Sequence, residues 1–478
     1  MDNSQMLNIA ILYDNASLHV NTIKEHLESF KKYSKHTFYY IPATSKSTDV
    51  NDKLSIFDVI IIHYSVRLSI VDHISPIIAE QLKVFGGCKI LFIQDEYDTT
   101  ETACQWIESL GIQIVYTCVP LDQINKVYPK ERFPFVEFIP TLTGYVPIDL
   151  EKKKYFVPLD QRSNSIGYRG RALPYWYGNL GQEKLQIGRR MREICDKHGI
   201  KTDIEWEHDK RIYGDAWYQF LENSRATLGT ESGSNIFDTY GQIRLAIENA
   251  LKDNPMLTYN EAYIRFLYLH EGKVVMNQIS PKIFEAIVLR TALILYEGTY
   301  SDVVKPNIHY IPLKKDFSNI SEVLAKLNDL DYLQMLTNRA YQDIILSEKF
   351  SYKKFVENFD ITISSRVRKG QGITFITSVV GYISDTNNII TILNGANQPY
   401  LSHLLQQNPP KRAYPIHDEV QPPVISNEPQ IPAIPCEIQI DVISNKIILY
   451  EAIKRVLPNF LLQPLLKFRR LIRRQLIL

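Results

Sequence analysis

Short apolar runs alternate with amphipathic stretches along the first three quarters of the chain. LNIAILY (7–13), DVIIIH (58–63), KILFIQ (89–94) and IQIVYT (112–117) are near-continuous in Ile, Leu and Val, as strands buried on both faces are. Between them, 18–33 and 75–85 read as helices, the second stopped by Gly86-Gly87. A second series follows the proline-marked segment from Pro140 to Pro147 and Pro158. It begins at SIGYRGR (165–171) and continues as a helix at 185–198, a strand at 203–206, a helix at 217–225 and a strand at 226–230. Its last part is the clearest. Ser280 reads as an N-cap with Pro281 at the first helical position. Phe284, Ile287 and Val288 then recur at helical spacing, TALILY (291–296) forms a strand, and Glu297 to Tyr300 turn off its end. A strand at 309–313, a helix at 321–328 and helical residues at 333–360 complete the series. This alternation predicts α/β architecture, two parallel sheets with helices on both faces.

Ligands of open α/β sheets sit beyond the carboxyl ends of the strands, so the polar residues there carry the candidate chemistry. In the first series these are His63, Asp95 and Glu96. They are candidate acids or bases, and equally a strand-capping histidine and helix-capping carboxylates. In the second series Gly167 and Gly170 allow a tight turn and close backbone approach, with Arg169 and Arg171 beside them. Guanidinium groups match phosphate oxygens as planar forks, although a solvated basic turn looks the same. ESGSN (231–235) offers backbone N–H groups to an anion or is an ordinary turn; Glu231 and Ser232 lie in it. Glu285 and the 297–301 loop are placed to face one crevice. The first strand is not followed by G-x-G-x-x-G, so the nicotinamide dinucleotide fingerprint is absent.

Composition narrows the class. The chain has 478 residues, 45% hydrophobic and 22% charged, with a formal net charge of +1. It is long enough for two or three domains, and its charge gives no general field for nucleic acid; none is expected as a partner. Tyrosine is frequent, at 29 residues, which suits sugar rings but also fills cores. Five cysteines at 88, 104, 118, 195 and 436 have no metal spacing, so reduced buried thiols are expected. There is neither a signal-like N-terminus nor an apolar run of membrane-spanning length. A cytoplasmic protein is expected.

Two stretches carry a resemblance. SPKIFEA (280–286) followed by an apolar strand resembles the donor-binding helix of glycosyltransferases built from two facing Rossmann domains, the GT-B fold. HYIPLKKDFSNISEVLAKLND (309–329) and LGTESGSNIFD (228–238) resemble a bacterial branch that makes surface polysaccharides of the lipopolysaccharide, O-antigen or capsule type. The resemblance spans roughly residues 7–360. It implies that Glu285 holds the ribose hydroxyls of a nucleotide-sugar, and that Arg169 or Arg171 binds its diphosphate. It also implies that Lys282, Glu231 and Ser232 line the donor site, and that the last helices cross back to the first domain. Many retaining members carry a second glutamate eight residues before the first; Asn277 stands there in this chain, leaving inversion or retention open.

The implied organisation is an acceptor-side domain at 1–145, a nucleotide-sugar domain at 160–345 and crossover helices at 346–365. Residues 366–405 are unassigned. Residues 406–436 are a Pro-rich linker, and 437–478 are a basic amphipathic tail suited to an anionic membrane surface or to docking on protein. The expected activity is transfer of a hexose from a nucleotide-sugar to a glycan or lipid-linked acceptor, with no cofactor or metal. Asp95, Glu96 and His63 are the candidate bases, in that order. An epimerase on the same fold and a non-catalytic scaffold of a polysaccharide complex are the alternatives.

Overall fold

The computed structural model describes residues 6–44, 54–150, 153, 155–367 and 391–392. The expected Pro-rich linker, basic tail and Cys436 lie outside the described residues, as do nearly all of 366–405.

The first sheet is built from β1 (Asn8–Tyr13), β2 (Thr37–Pro42), β3 (Val59–Ile62), β4 (Cys88–Ile93), β5 (Ile114–Thr117) and β6 (Glu137–Pro140). Its order is β2-β1-β3-β4-β5-β6, all parallel. Helices α1 (Asn21–Tyr33), α2 (Pro76–Val84), α3 (Thr100–Leu110) and the short α4 (Ile124–Val127) connect the strands. Successive residues enter opposite layers: Ala10, Leu12, Ile60 and Ile62 pack on one side of the sheet, and Ile9, Ile11, Val59 and Ile61 on the other. This is why the runs are apolar throughout rather than alternating.

The second sheet takes β7 (Asn164–Arg169), β8 (Thr202–Glu205), β9 (Ser224–Gly229), β10 (Ala292–Tyr296) and β11 (Ile311–Leu313) in the order β11-β10-β9-β7-β8, again all parallel. Its helices are α5 (Gly178–Lys197), α6 (Gly214–Glu222), α7 (Gln242–Asp253), α8 (Tyr259–Ala262), α9 (Pro281–Val288), α10 (Ile320–Asn328) and α11 (Leu330–Ala340). Ser280 precedes α9 in an extended conformation but makes no side-chain cap, so Pro281 alone marks that start. The periodicity does not foresee β2, α3, α4 and β6 of the first sheet, nor α7 and α8, which lie between β9 and α9 and run into a π-helical turn at Tyr263–Leu267.

After α11 the chain returns to the first sheet. Helix α12 (Tyr352–Arg366) places Tyr352, Phe355, Val356, Phe359 and Ile363 in the layer beneath β1, β3 and β4. Asp360 accepts from Ser34 Oγ at 2.7 Å and Lys35 N at 3.0 Å. A two-residue strand, β12 (Thr391–Ile392), pairs antiparallel with β2. Among the described residues no helix is long and apolar enough to cross a membrane.

The two sheets are joined at a second place. Val274 and Met276, which follow α8, are buried in the first sheet's core. Val275 N donates to Gln123 Oε1 at 3.3 Å, and Lys126 Nζ to Lys273 O at 3.2 Å. Nearby, Asp238 N donates to Tyr97 O at 2.9 Å and Glu101 N to Thr239 O at 3.0 Å. These last contacts join the loop after β4 to the loop after β9, so the carboxyl-end loops of both sheets meet.

Candidate active site

In the second sheet the chain leaves β7 for β8 on one side, while β9 lies on the other. The loops that follow β7 and β9 therefore diverge, and a crevice opens between them. The loop after β7 carries Gly170 and Arg171, and the loop after β9 carries Glu231 and Ser232. Lys184 enters from α5 and donates from Nζ to Ser232 Oγ at 3.2 Å. Lys282, in the first turn of α9, donates from Nζ to Arg169 O at 3.2 Å. Burial pushes the Lys184 ammonium down to about 8, with Lys282 and Arg171 adding to the shift against the pull of Asp95. Lys282 remains solvent-exposed inside a concave site, yet the protein crowded around it lowers its pKa; Glu285 opposes this, and Arg211 and Arg171 reinforce it. Like charges that depress one another are relieved by an anion.

Glu285 is buried one turn further along α9, and its Oε2 accepts from Trp217 Nε1 at 2.7 Å. Burial raises its pKa, while the Trp217 hydrogen bond and Lys282 lower it. Glu231 is also buried, but its oxygens are taken up by the protein. Oε1 accepts from Thr299 N, Thr299 Oγ1 and Tyr300 N at 3.0, 3.0 and 2.8 Å, and Oε2 accepts from Asn277 Nδ2 at 2.6 Å. It fastens the loop after β9 to the loop after β10 and to the residue standing at the second-glutamate position. The Ser232 N–H donates to Gln278 O at 2.7 Å and is not offered to a ligand. Gly233 has φ +101, and a Cβ there would lie 2.1 Å from Met276 O; only glycine fits this crossing.

The three candidates on the first sheet separate sharply. Asp95 has a side chain 43% exposed, pairs with Arg67 Nε at 3.4 Å and accepts from Tyr97 Oη at 2.9 Å. Arg67 also pairs with Asp98 at 3.3 Å. The Asp95 charge raises the pKa of Lys184 on α5 against the effect of burial.

Glu96 is wholly buried. Its Oε1 accepts from Thr117 Oγ1, and from Cys118 N at 3.1 Å, while Oε2 meets no partner. Burial pushes its pKa up to about 8. His63 is likewise fully buried, with Nδ1 2.9 Å from Ser65 Oγ and Nε2 3.0 Å from His26 Nδ1. Burial lowers it well below its ordinary value. Phe30, Phe92 and Phe355 surround its partner His26. Both expectations of an acid or base at a solvent-filled cleft are corrected: Glu96 ties β4 to β5, and His63 belongs to a core histidine pair.

Arg169 and Gly167 are corrected too. The Arg169 guanidinium pairs with Asp203 at 2.8 Å, donates to Lys210 O at 3.0 Å and stacks 4.3 Å from the Phe220 ring, so it braces β7 against β8 and α6. Gly167 lies inside β7, where a Cβ would meet Ser224 Oγ at 2.1 Å; its bare backbone serves packing, not a ligand. Sequence reasoning misses Lys184, Trp217 and Arg67. None lies in a motif, and only the folded chain brings them to the crevice.

No family model and no curated protein matches the chain. Solved structures similar to it include an alpha-glucosyltransferase in complex with UDP and a 13-mer DNA containing a HMU base (10% identity, TM-score 0.46, covering 76% of this chain and 100% of that one). The T4 phage BGT in complex with its UDP-glucose substrate is similar at 11% identity and TM-score 0.43, over 75% and 99%. A mutant of S. aureus TarM in complex with Fondaparinux, alpha-GlcNAc-glycerol and UDP is similar at 14% and 0.38, over 64% and 55%. Likenesses at this level carry no argument of their own.

Proposed function

We propose that this chain moves a sugar from a nucleotide-sugar to an acceptor hydroxyl. The observation that carries this reading is the crowding of Arg171, Lys184 and Lys282 at the second sheet's crevice, next to the buried carboxylate of Glu285. A departing nucleoside diphosphate gains negative charge in the transition state, and fixed cations already in place offset it without reorganising. Glu285 accepts the ribose hydroxyls. Across the crevice, Asp95 takes the acceptor proton if the reaction inverts; of the three candidate bases, its carboxylate alone is open to solvent. The resemblance to the surface-polysaccharide branch makes a glycan or lipid-linked glycan the acceptor, at the inner face of a membrane. The three cations supply the charge that a metal supplies elsewhere, so turnover is expected to persist in chelator.

Thermal shift against UDP-, GDP-, dTDP- and CMP-sugars identifies the donor. Arg171→Ala is expected to weaken that donor roughly tenfold to a hundredfold, the loss of about one hydrogen bond between charged groups, with the melting temperature of the free protein unchanged. Asp95→Asn is expected to retain donor affinity and lose transfer. Radiolabelled donor, with and without lipid-linked glycan, free glycan or duplex DNA, separates transfer from epimerisation and names the acceptor class. Unchanged donor affinity in both Arg171→Ala and Glu285→Gln rejects the site.

A further inference from the structure

Four side chains stand in sequence beside Glu285. The Arg169 guanidinium lies 4.3 Å from the Phe220 ring, Phe220 stacks on Trp217 at 5.5 Å and 25°, and Lys282 Nζ lies 5.0 Å from the Trp217 ring. Phe220 and Trp217 are both buried. The Trp217 indole thus lies between the Phe220 ring, itself covered by Arg169, and the Lys282 ammonium. Its one polar atom, Nε1–H, points at Glu285 Oε2 from 2.7 Å.

Indole donates a single hydrogen bond and accepts none, so this contact has one purpose available to it. We propose that Trp217 is a positioning residue: it fixes Oε2 of Glu285 so that Oε1 is the oxygen presented to the ribose hydroxyls of a bound nucleotide. The inference rests on the nucleotide-sugar reading of the crevice and adds a residue that neither composition nor motif marks. A carboxylate on a helix otherwise turns freely about its last torsion, which is broad and roughly two-fold. A charge-assisted bond from a ring that cannot itself rotate removes that freedom. Oriented acceptors cost less on binding than ones that must be ordered.

The electrostatics agree with this geometry. Burial raises the Glu285 pKa, and the indole N–H is the larger of the two influences that bring it back, Lys282 being the other. The remaining ionisable neighbours sit on separate elements: Glu25 on α1, Tyr218 on α6 and Tyr352 on α12 all sense the Glu285 charge, and Asp149 acts on Glu25 and Tyr218. Glu25 is a carboxyl coupled to Glu285, so its ionisation opposes that of Glu285 rather than replacing the lost donor. Removing the N–H therefore weakens nucleotide binding most on the acid side, where Glu285 takes up a proton and loses acceptor capacity.

The test titrates UDP, GDP and dTDP into the full chain by calorimetry and carries the tightest forward. Trp217→Phe keeps a ring in the stack and removes the N–H. It is expected to weaken the nucleotide about tenfold at pH 6 and less at pH 8. Glu285→Gln is expected to weaken it at least as much, without pH dependence. Adding Trp217→Phe to Glu285→Gln is expected to cause little additional loss, because two residues acting through one contact are not additive. If the phenylalanine variant lacks a cooperative melt, incorporation of benzothienylalanine at 217 removes the N–H with the shape retained, and the same expectations apply. Equal loss at both pH values, or full additivity with Glu285→Gln, reduces Trp217 to packing and overturns the proposal while the nucleotide reading stands. Wild-type affinity in both Glu285→Gln and Arg171→Ala, or no binding of any of the three probes by the wild type, overturns the reading itself.

Discussion

Arg162→Met is expected to lower the stability of the protein by about 4 kcal/mol, read as a shift of the urea midpoint at constant slope. Arg162 is buried, and its guanidinium reaches four oxygens that belong to different elements. Nε donates to Val157 O at 3.0 Å, Nη1 to Ser224 O at 3.0 Å and Thr291 Oγ1 at 2.9 Å, and Nη2 to Leu289 O at 2.9 Å. It pins the entry to the second sheet to the start of β9 and to the end of α9. Burial pulls the guanidinium down to about 10, still far above neutral, so it stays charged while these oxygens share the charge. Methionine fills the volume and leaves the carbonyls short of a donor, each at about 1–3 kcal/mol. Arg162→Lys is expected to recover little, since an ammonium cannot span the fork. Arg132 makes the instructive contrast. It pairs with Glu101 and Glu108 at 2.7 Å each, but at the surface, where Arg132→Met is expected to cost less than about 1 kcal/mol.

The second large effect is a stabilisation that grows as the pH rises from about 5 to about 8. Glu96 has its pKa raised from 4.5 to about 8 by burial. A carboxyl raised on folding holds its proton in the native state while the unfolded chain has released it. The native state then binds more protons, and its stability falls with rising pH between about 4.5 and about 8, by about 1.4 kcal/mol per unit. Glutamine resembles the protonated acid: its carbonyl takes the bonds from Thr117 and Cys118, and its amide stands where Oε2 has no partner. Glu96→Gln is therefore expected to match wild type at pH 5 and exceed it in urea resistance at pH 8. Glu25 has a similar raised pKa, about 8, and contributes the same slope to both proteins, so the difference isolates Glu96. Parallel stability curves for the two proteins from pH 5 to 8 would show Glu96 ionised in the core.

Much of the architecture is legible in the chain because strands buried on both faces need unbroken apolar runs, and β1, β3, β4, β5 and β10 have them. The second strand, TFYYIP, escapes because its tyrosines read as surface or core alike. Helices α7 and α8 escape because they sit between two strand-end loops, where a crossover is expected but its shape is not. The site is less legible. Asp95 and Glu96 are adjacent, and consecutive residues leaving a strand point to opposite sides; Asp95 stays partly exposed while Glu96 enters the core. No local pattern says which. His63 ends a strand as a ligand would, and its burial is decided by His26, thirty-seven residues earlier. Arg169 and Arg171 look equivalent in GYRGR, yet Arg169 still belongs to β7 and pairs with Asp203 on the neighbouring strand, whereas Arg171 lies past the strand's end. Lys184 and Trp217 sit in the middle of amphipathic helices, where lysine and tryptophan ordinarily mean a solvated face and a packed one. Glu285 and Lys282 are placed by their helix start, which the proline marks.

Val274 and Met276 have a bearing on how such a chain can be recombined. They are carried by the half built on the second sheet but are seated in the other half, and α12 makes a second graft in the same direction. A fragment ending near residue 150 would therefore present two empty apolar sockets, and a fragment starting there would present the plugs that fill them. Neither is a module that can be cut at the proline-marked segment and spliced to a foreign counterpart. A chimera that exchanges the first-sheet half keeps its solubility only when the surfaces receiving residues 274–276 and 352–363 travel unchanged. Whatever each half contributes to the crevice is thus inherited with the other half rather than shuffled independently.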